Sequence, residues 1–159
     1  MVKSSAMERP HVPPAIQAPP DEELVFVARA EGVQIYICRS DSAGQPAWTL
    51  KAPEALLYDA QGDVIGKHFA GPTWTHNDGS EVRAKMIGKA DAPDAGSIPW
   101  LLLEASSNSA QGVLSRVTTI QRIHTAGGLA PGIGCSDATL EREFRSQYSA
   151  AYFFYARSK

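Results

Sequence analysis

The chain has 159 residues, with 15 Lys and Arg against 17 Asp and Glu and a formal net charge of -2, which suits one domain with a core large enough to do without metals or many disulfides. The balanced charge and the lack of a Lys/Arg stripe remove the electrostatic footprint that nucleic acid or an anionic membrane requires, so neither is expected as a partner. No apolar run approaches the roughly 20 residues that span a bilayer. Met1-Val2-Lys3-Ser4-Ser5 begins with a basic residue but has no apolar stretch behind it; either the protein is cytoplasmic or a leader has been removed.

Residues 1–20 contain Pro10, Pro13, Pro14, Pro19 and Pro20, which lack backbone donors and favour extended geometry, so this segment is expected to be an arm outside the core. A single β-rich domain is expected over 21–159. Residues 24–30 and 33–38 read as a hairpin turning at Glu31-Gly32. In its second arm Val33, Ile35 and Ile37 share one face, expected to meet the core, while Gln34, Tyr36 and Cys38 share the other. Gln34 and Tyr36 then point to solvent or into a second cavity.

Residues 47–50 and 55–59 are short strand candidates separated by Pro53, and 64–69 and 81–88 are strands around a polar stretch. Residues 98–105 are apolar on both faces and read as a central strand, with Pro99 at its start where a missing N–H breaks no ladder bond. The β-branched run 113–125 is a further strand. Gly127-Gly128 to Cys135 is a flexible loop matching no phosphate-binding pattern. Residues 139–145 suit a short helix capped by Ser136 or Asp137, and 148–156 form an aromatic strand. Short strands with Gly/Pro turns argue for an all-β fold, an antiparallel β-barrel or β-sandwich with at most short helical pieces.

Reactive side chains are densest between His68 and Ser80, a run holding His68, Trp74, His76 and Asp78 between the Gly71-Pro72 and Asp78-Gly79 turns. Asp-Gly between strands signals a type I′ hairpin, which by itself accounts for Asp78. A strand ending before Gly71-Pro72 would put His68 at the mouth of the sheet, accessible and titrating near about 6.5, with Trp74 lining the same opening. His68 with Asp78 or Glu104 would form an acid–base set if they converge. Gln34, Tyr36, Trp74, Gln121 and Arg122 have the mixed polar and aromatic composition of a ligand site. Arg122 could fork onto a carboxylate or phosphate or pair with Glu104, and Trp48, Trp74 and Trp100 could equally be core. His68, His76 and Asp78 match no standard metal spacing, and no Gly-x-Ser-x-Gly elbow occurs, so no metal or cofactor is expected. The expected function is binding of a small molecule or partner in a polar-aromatic cleft. The second reading is a cofactor-independent enzyme, such as an isomerase or cyclase, using acid–base chemistry in a β-barrel cavity. The oligomeric state stays open.

Cys38 and Cys135 match no metal spacing. Cys38 ends a strand-like run and Cys135 lies in a Gly-rich loop able to reach it; in an oxidising compartment a bridge closing about 100 residues would stabilise by roughly 4 to 5 kcal/mol, whereas in the cytosol both would stay thiols. Gly32-Val-Gln34-Ile-Tyr36-Ile-Cys38, His68-Phe-Ala-Gly71-Pro72-Thr73-Trp74 with Asp78-Gly79-Ser80, Pro99-Trp100-Leu-Leu, Ile120-Gln121-Arg122 with Thr125-Ala-Gly127-Gly128, and Tyr152-Phe-Phe-Tyr155 together resemble the domain of unknown function 3455 family, over about Val12 to Tyr155. Its members are mostly small exported proteins of bacteria and fungi. Some carry the label malate dehydrogenase, for which this sequence offers no Rossmann βαβ unit or glycine fingerprint. The resemblance implies export, and with it a Cys38–Cys135 disulfide.

Overall fold

The structure, a computed structural model, describes residues 8–157. Eight strands follow one another: β1 (Glu22–Ser40), β2 (Pro46–Tyr58), β3 (Val64–Phe69), β4 (Thr73–His76), β5 (Glu81–Ala90), β6 (Trp100–Ser109), β7 (Thr119–Gly127) and β8 (Glu143–Arg157). Each pairs antiparallel with the next, and β8 returns to pair with β1, so the sheet closes into a barrel-like ring. Helix among the described residues is confined to single 3-10 turns at Pro14–Ile16 and Asp137–Thr139. The helix expected over 139–145 gives way after Thr139, because Glu141 and Arg142 already pair with Cys38 and lead into β8.

Three hairpin turns share one design, in residues 41–45, 59–63 and 76–80. The fourth residue, Gly44, Gly62 or Gly79, takes positive φ and donates its N–H to the carbonyl of the first, whose own N–H bonds the carbonyl of the fifth. The first side chain finishes the turn: Asp41 and Asp59 accept backbone N–H groups through Oδ1, and His76 accepts the Asp78 N–H through Nδ1. This is the three-residue loop with a terminal left-handed glycine. It replaces the type I′ turn expected at Asp78-Gly79, since only Gly79 takes positive φ there.

The expected hairpin at Glu31-Gly32 is instead the middle of β1, a continuous strand of 19 residues. Gly32 serves close approach: a Cβ on it would lie 2.1 Å from the Glu54 carbonyl oxygen of β2. Residues 46–58 are likewise one strand despite Pro53. Pro53 pairs with Gln34 of β1, but β2 meets β3 only over Ala55–Tyr58, so its other side at that point has no ladder to break.

The chain alternates between two ends of the ring. The upper end carries the connections 41–45, 70–72, 91–99 and 128–142; the lower carries 59–63, 77–80 and 110–118. Ala28, Ala30, Leu57, Trp74, Val82, Leu103, Ile120 and Phe154 fill the interior from the inward face of the pleat. Residues 113–118 are not strand. Leu114 and Val117 close the lower end as a plug, held by Asn108 Nδ2 donating to both their carbonyls.

Of the segment 1–20 expected to be an arm outside the core, residues 1–7 lie outside the described residues, and the rest packs on the outside of the ring. Ile16 is completely buried with Trp100, Leu102 and Ile123, making a second core over β6 to β8. Arg9 fastens it by donating to the carbonyls of Ala18, Pro19 and Glu22, its guanidinium resting on the Tyr155 ring. A long Pro-rich segment can be core when its few apolar residues meet an apolar outer face.

Cys38 and Cys135 form a disulfide with Cα atoms 5.4 Å apart. It ties the 128–142 connection to the upper end of β1, and two bonds extend the tether: Tyr36 Oη donates to the Gly128 carbonyl and Trp48 Nε1 to that of Ile133.

Candidate functional site

The lower interior is apolar; the upper interior is not. Because Ala28 and Ala30 face inward, strict alternation along β1 turns Gln34 and Tyr36 inward too. Of the alternatives expected for Gln34 and Tyr36, the inward one holds, while Ile35 and Ile37 are buried as expected but on the opposite side of β1, with Val33 only half-buried. Arg122 shares the inward face of β7 with Ile120, and Tyr148 and Tyr152 share that of β8 with Phe154. Of these, Gln34, Arg122 and Tyr152 join His68 of β3, Pro53 and Leu103 in lining a cavity of about 360 Å³.

Its opening follows from strand lengths. β3 and β4 are short and end at a tip containing Gly71 and Pro72, whereas β2 and β5 continue past them. The wall is thus missing above that tip, between Leu50–Pro53 of β2 and Met86 of β5, all of which line the cavity. Leu50 and Met86 are 50% and 55% exposed there. An apolar rim leads inward to polar groups.

His68 is buried, not at an accessible rim. Its ring stacks on Trp74 and contacts Tyr152 at centroid distances of 4.3 and 5.0 Å. Burial pulls its pKa down to about 3; the bond to Thr73 opposes this and the Arg122 charge adds to it. The ring is accordingly neutral at pH 7. Nδ1–H donates to the Thr73 carbonyl at 2.9 Å, leaving Nε2 as an acceptor. The expectation of an imidazole titrating near neutrality fails because the strand end lies under the tip of its own hairpin.

Arg122 is 9% exposed. Nε and Nη2 both donate to the Pro99 carbonyl, at 3.1 and 2.8 Å. No ion pair joins it to a carboxylate among the described residues; Glu104, suggested as its partner, points outward on β6 and pairs with Lys85. No phenol nearby supplies a matching negative charge, although Tyr152 feels both the charge and a hydrogen bond of Arg122. Burial pushes Tyr36 and Tyr152 upward against the pull of Arg122, and burial together with neighbouring Tyr152 does the same to Tyr148. Gln34 is 3% exposed, and its Oε1 has no hydrogen-bond partner among the described residues.

The other expected site residues lie elsewhere. Asp78 sits in the lower turn, a strand away from His68, where it accepts the Ser80 hydroxyl and N–H and the Val113 N–H. Those bonds, the Ser80 hydroxyl foremost, hold its carboxyl down at about 2. Gln121 belongs to the outer face, donating to the Ile16 carbonyl and accepting from Tyr155 Oη; adjacent strand residues face opposite sides, so it cannot share a site with Arg122. Trp74 is buried beneath His68, its indole N–H without a partner among the described residues. His68, Asp78 and Glu104 are thus not brought together. Tyr148 and Tyr152 were missed; their spacing of four in a strand, sharing a face with Phe154, is the signal that would have found them.

No helix among the described residues is long and apolar enough to cross a membrane. A ring of eight antiparallel strands with a polar-aromatic chamber under one end defines a small all-β domain. The chain belongs to the family described as protein of unknown function (DUF3455), whose model matches residues 19–156. That match begins just before β1 and includes all but the last residue of β8. No curated protein and no solved structure matches the chain.

Proposed function

We propose that this protein binds a small molecule in the upper chamber, reached through the gap between β2 and β5. The observation that carries the reading is Arg122, a guanidinium inside the ring with no acidic partner among the described residues. A buried cation without an opposite charge is costly to folding, and the two bonds to the Pro99 carbonyl offset only part of that cost. The chamber has the usual composition of a ligand site, mostly apolar walls with a few placed polar groups. Acid–base catalysis has less support, because among the described residues that line the cavity the one imidazole is a weak base and there is no carboxylate. The disulfide supports an oxidising, exported setting.

Screening by thermal shift tests this, since a ligand that binds only the folded state raises apparent stability by RT ln(1 + [L]/Kd). Compounds that stabilise the protein should lose their effect on Leu50→Trp, which enlarges an inward-facing rim residue opposite Tyr36 and narrows the entrance. Equal stabilisation of both proteins would place the ligand elsewhere and overturn the reading.

A further inference from the structure

The geometry points to the class of ligand: an organic carboxylate whose oxygens take the unused edge of the Arg122 guanidinium while its apolar body lies against Pro53, Met86, Leu101 and Leu103. This rests on the chamber being the binding site. Arginine presents five N–H donors in a planar fork. The Pro99 carbonyl occupies the Nε side, through Nε and Nη2, so the Nη1 side remains for a bidentate acceptor. The residues lining the chamber include Arg122 and Lys51 but no Asp or Glu. Lys51 is already joined to Glu143 at the surface, which leaves Arg122 as the cation whose charge is unmatched inside. Gln34, buried and facing the same space, offers an amide that can adjust to the ligand's polar end.

One cation among mainly apolar walls also argues for a singly charged head. A phosphate monoester brings close to two charges at neutral pH, and the interior would leave part of that uncompensated. A neutral amide would fill the same volume but leave the guanidinium unneutralised.

The test uses the full chain with its disulfide intact and titrates matched probes by calorimetry: butyrate, octanoate and cinnamate, each with its primary amide, and phenyl phosphate. At least one carboxylate should bind about tenfold or more tightly than its amide, and Arg122→Met should remove that preference. Arg122→Lys keeps the charge without the fork and should retain only part of the preference; it answers the same question if Arg122→Met does not fold. Equal affinity for carboxylate and amide, or an unchanged preference in either variant, overturns the assignment while the chamber stands as a binding site. Tighter binding of phenyl phosphate than of any carboxylate overturns the choice of head group. If no member of any pair binds, the chamber reading falls and this one with it.

Discussion

The imidazole of His68 lies almost flat on the indole of Trp74, planes inclined by 18°, because the two residues face each other across the β3–β4 ladder. Directly opposed strand residues project from the same face, so a buried Trp at that register takes its partner inside with it. A histidine so placed cannot ionise cheaply, and that shapes how stability responds to acid.

Above about pH 6.5 His68 is neutral in both the folded and unfolded chain. Below that the unfolded chain takes up a proton that the folded one refuses down to about 3, so stability falls with pH across this window, by on the order of 3 kcal/mol at pH 4. His68→Phe keeps the stack and removes the titration. Melting temperature measured from pH 7 to pH 4 should drop much less for the variant than for the parent; parallel curves would show that His68 does not govern acid sensitivity.

Asp78 acts in a lower window. Its folded carboxyl sits near 2, against about 3.9 when unfolded, so the stability it contributes is present above the unfolded value and disappears as pH falls through the folded one. Asp78→Ala orphans the Val113 N–H and the Ser80 hydroxyl, at a cost of about 1 to 3 kcal/mol. Amide exchange at Val113 and Leu114 should accelerate in the variant while ligand affinity is kept. Loss of binding with an undisturbed plug would return Asp78 to the site.

Joint replacement of Cys38 and Cys135 by Ser removes a link across 97 residues and should cost roughly 4 to 5 kcal/mol in the chain-entropy account. Urea unfolding with and without reductant measures it directly. Proteolysis should then begin in the 128–142 connection, which the bridge fastens to β1; first cleavage at another site would show that Tyr36 and Trp48 hold it without help.

Ile16→Ala should destabilise by about 2 to 4 kcal/mol, the range for a large aliphatic removed from a packed core. A change under about 0.5 kcal/mol, the usual size for a surface site, would mean the segment merely lies against the ring.

The antiparallel all-β fold was legible because several turns declare themselves, as Asp41 to Gly44 and Asp59 to Gly62 do at the reversals on either side of β2. Gly32 misled for a related reason, since a glycine in a strand reports either a turn or a close neighbour, and only β2 distinguishes them. The facing of Gln34 and Tyr36 was unreadable locally. Val33, Ile35 and Ile37 are the more apolar set, but closure of the ring assigns inside and outside from Ala28 and Ala30 onward. Arg122 was recognisable as a candidate, yet Gln121 looked equally good, and the one-residue alternation that separates them needs the register of β7. Asp78 was grouped with His68 by closeness in sequence, which β4 converts into distance.

A closed sheet has no edges to offer other chains, but this ring has one interval where that protection lapses. Above the β3–β4 tip, the side of β2 away from β1 carries backbone groups with no ladder partner, the kind of template on which strands from separate molecules join. Three features that discourage such joining coincide there: Pro53 removes a donor, Lys51 adds a charge, and a register shift opposite Ile35/Tyr36 bends the strand. The opening into the chamber is thereby made unattractive to a second copy of the chain. Replacing Lys51 and Pro53 with Val would leave the chamber in place and turn its doorway into a nucleus for aggregation.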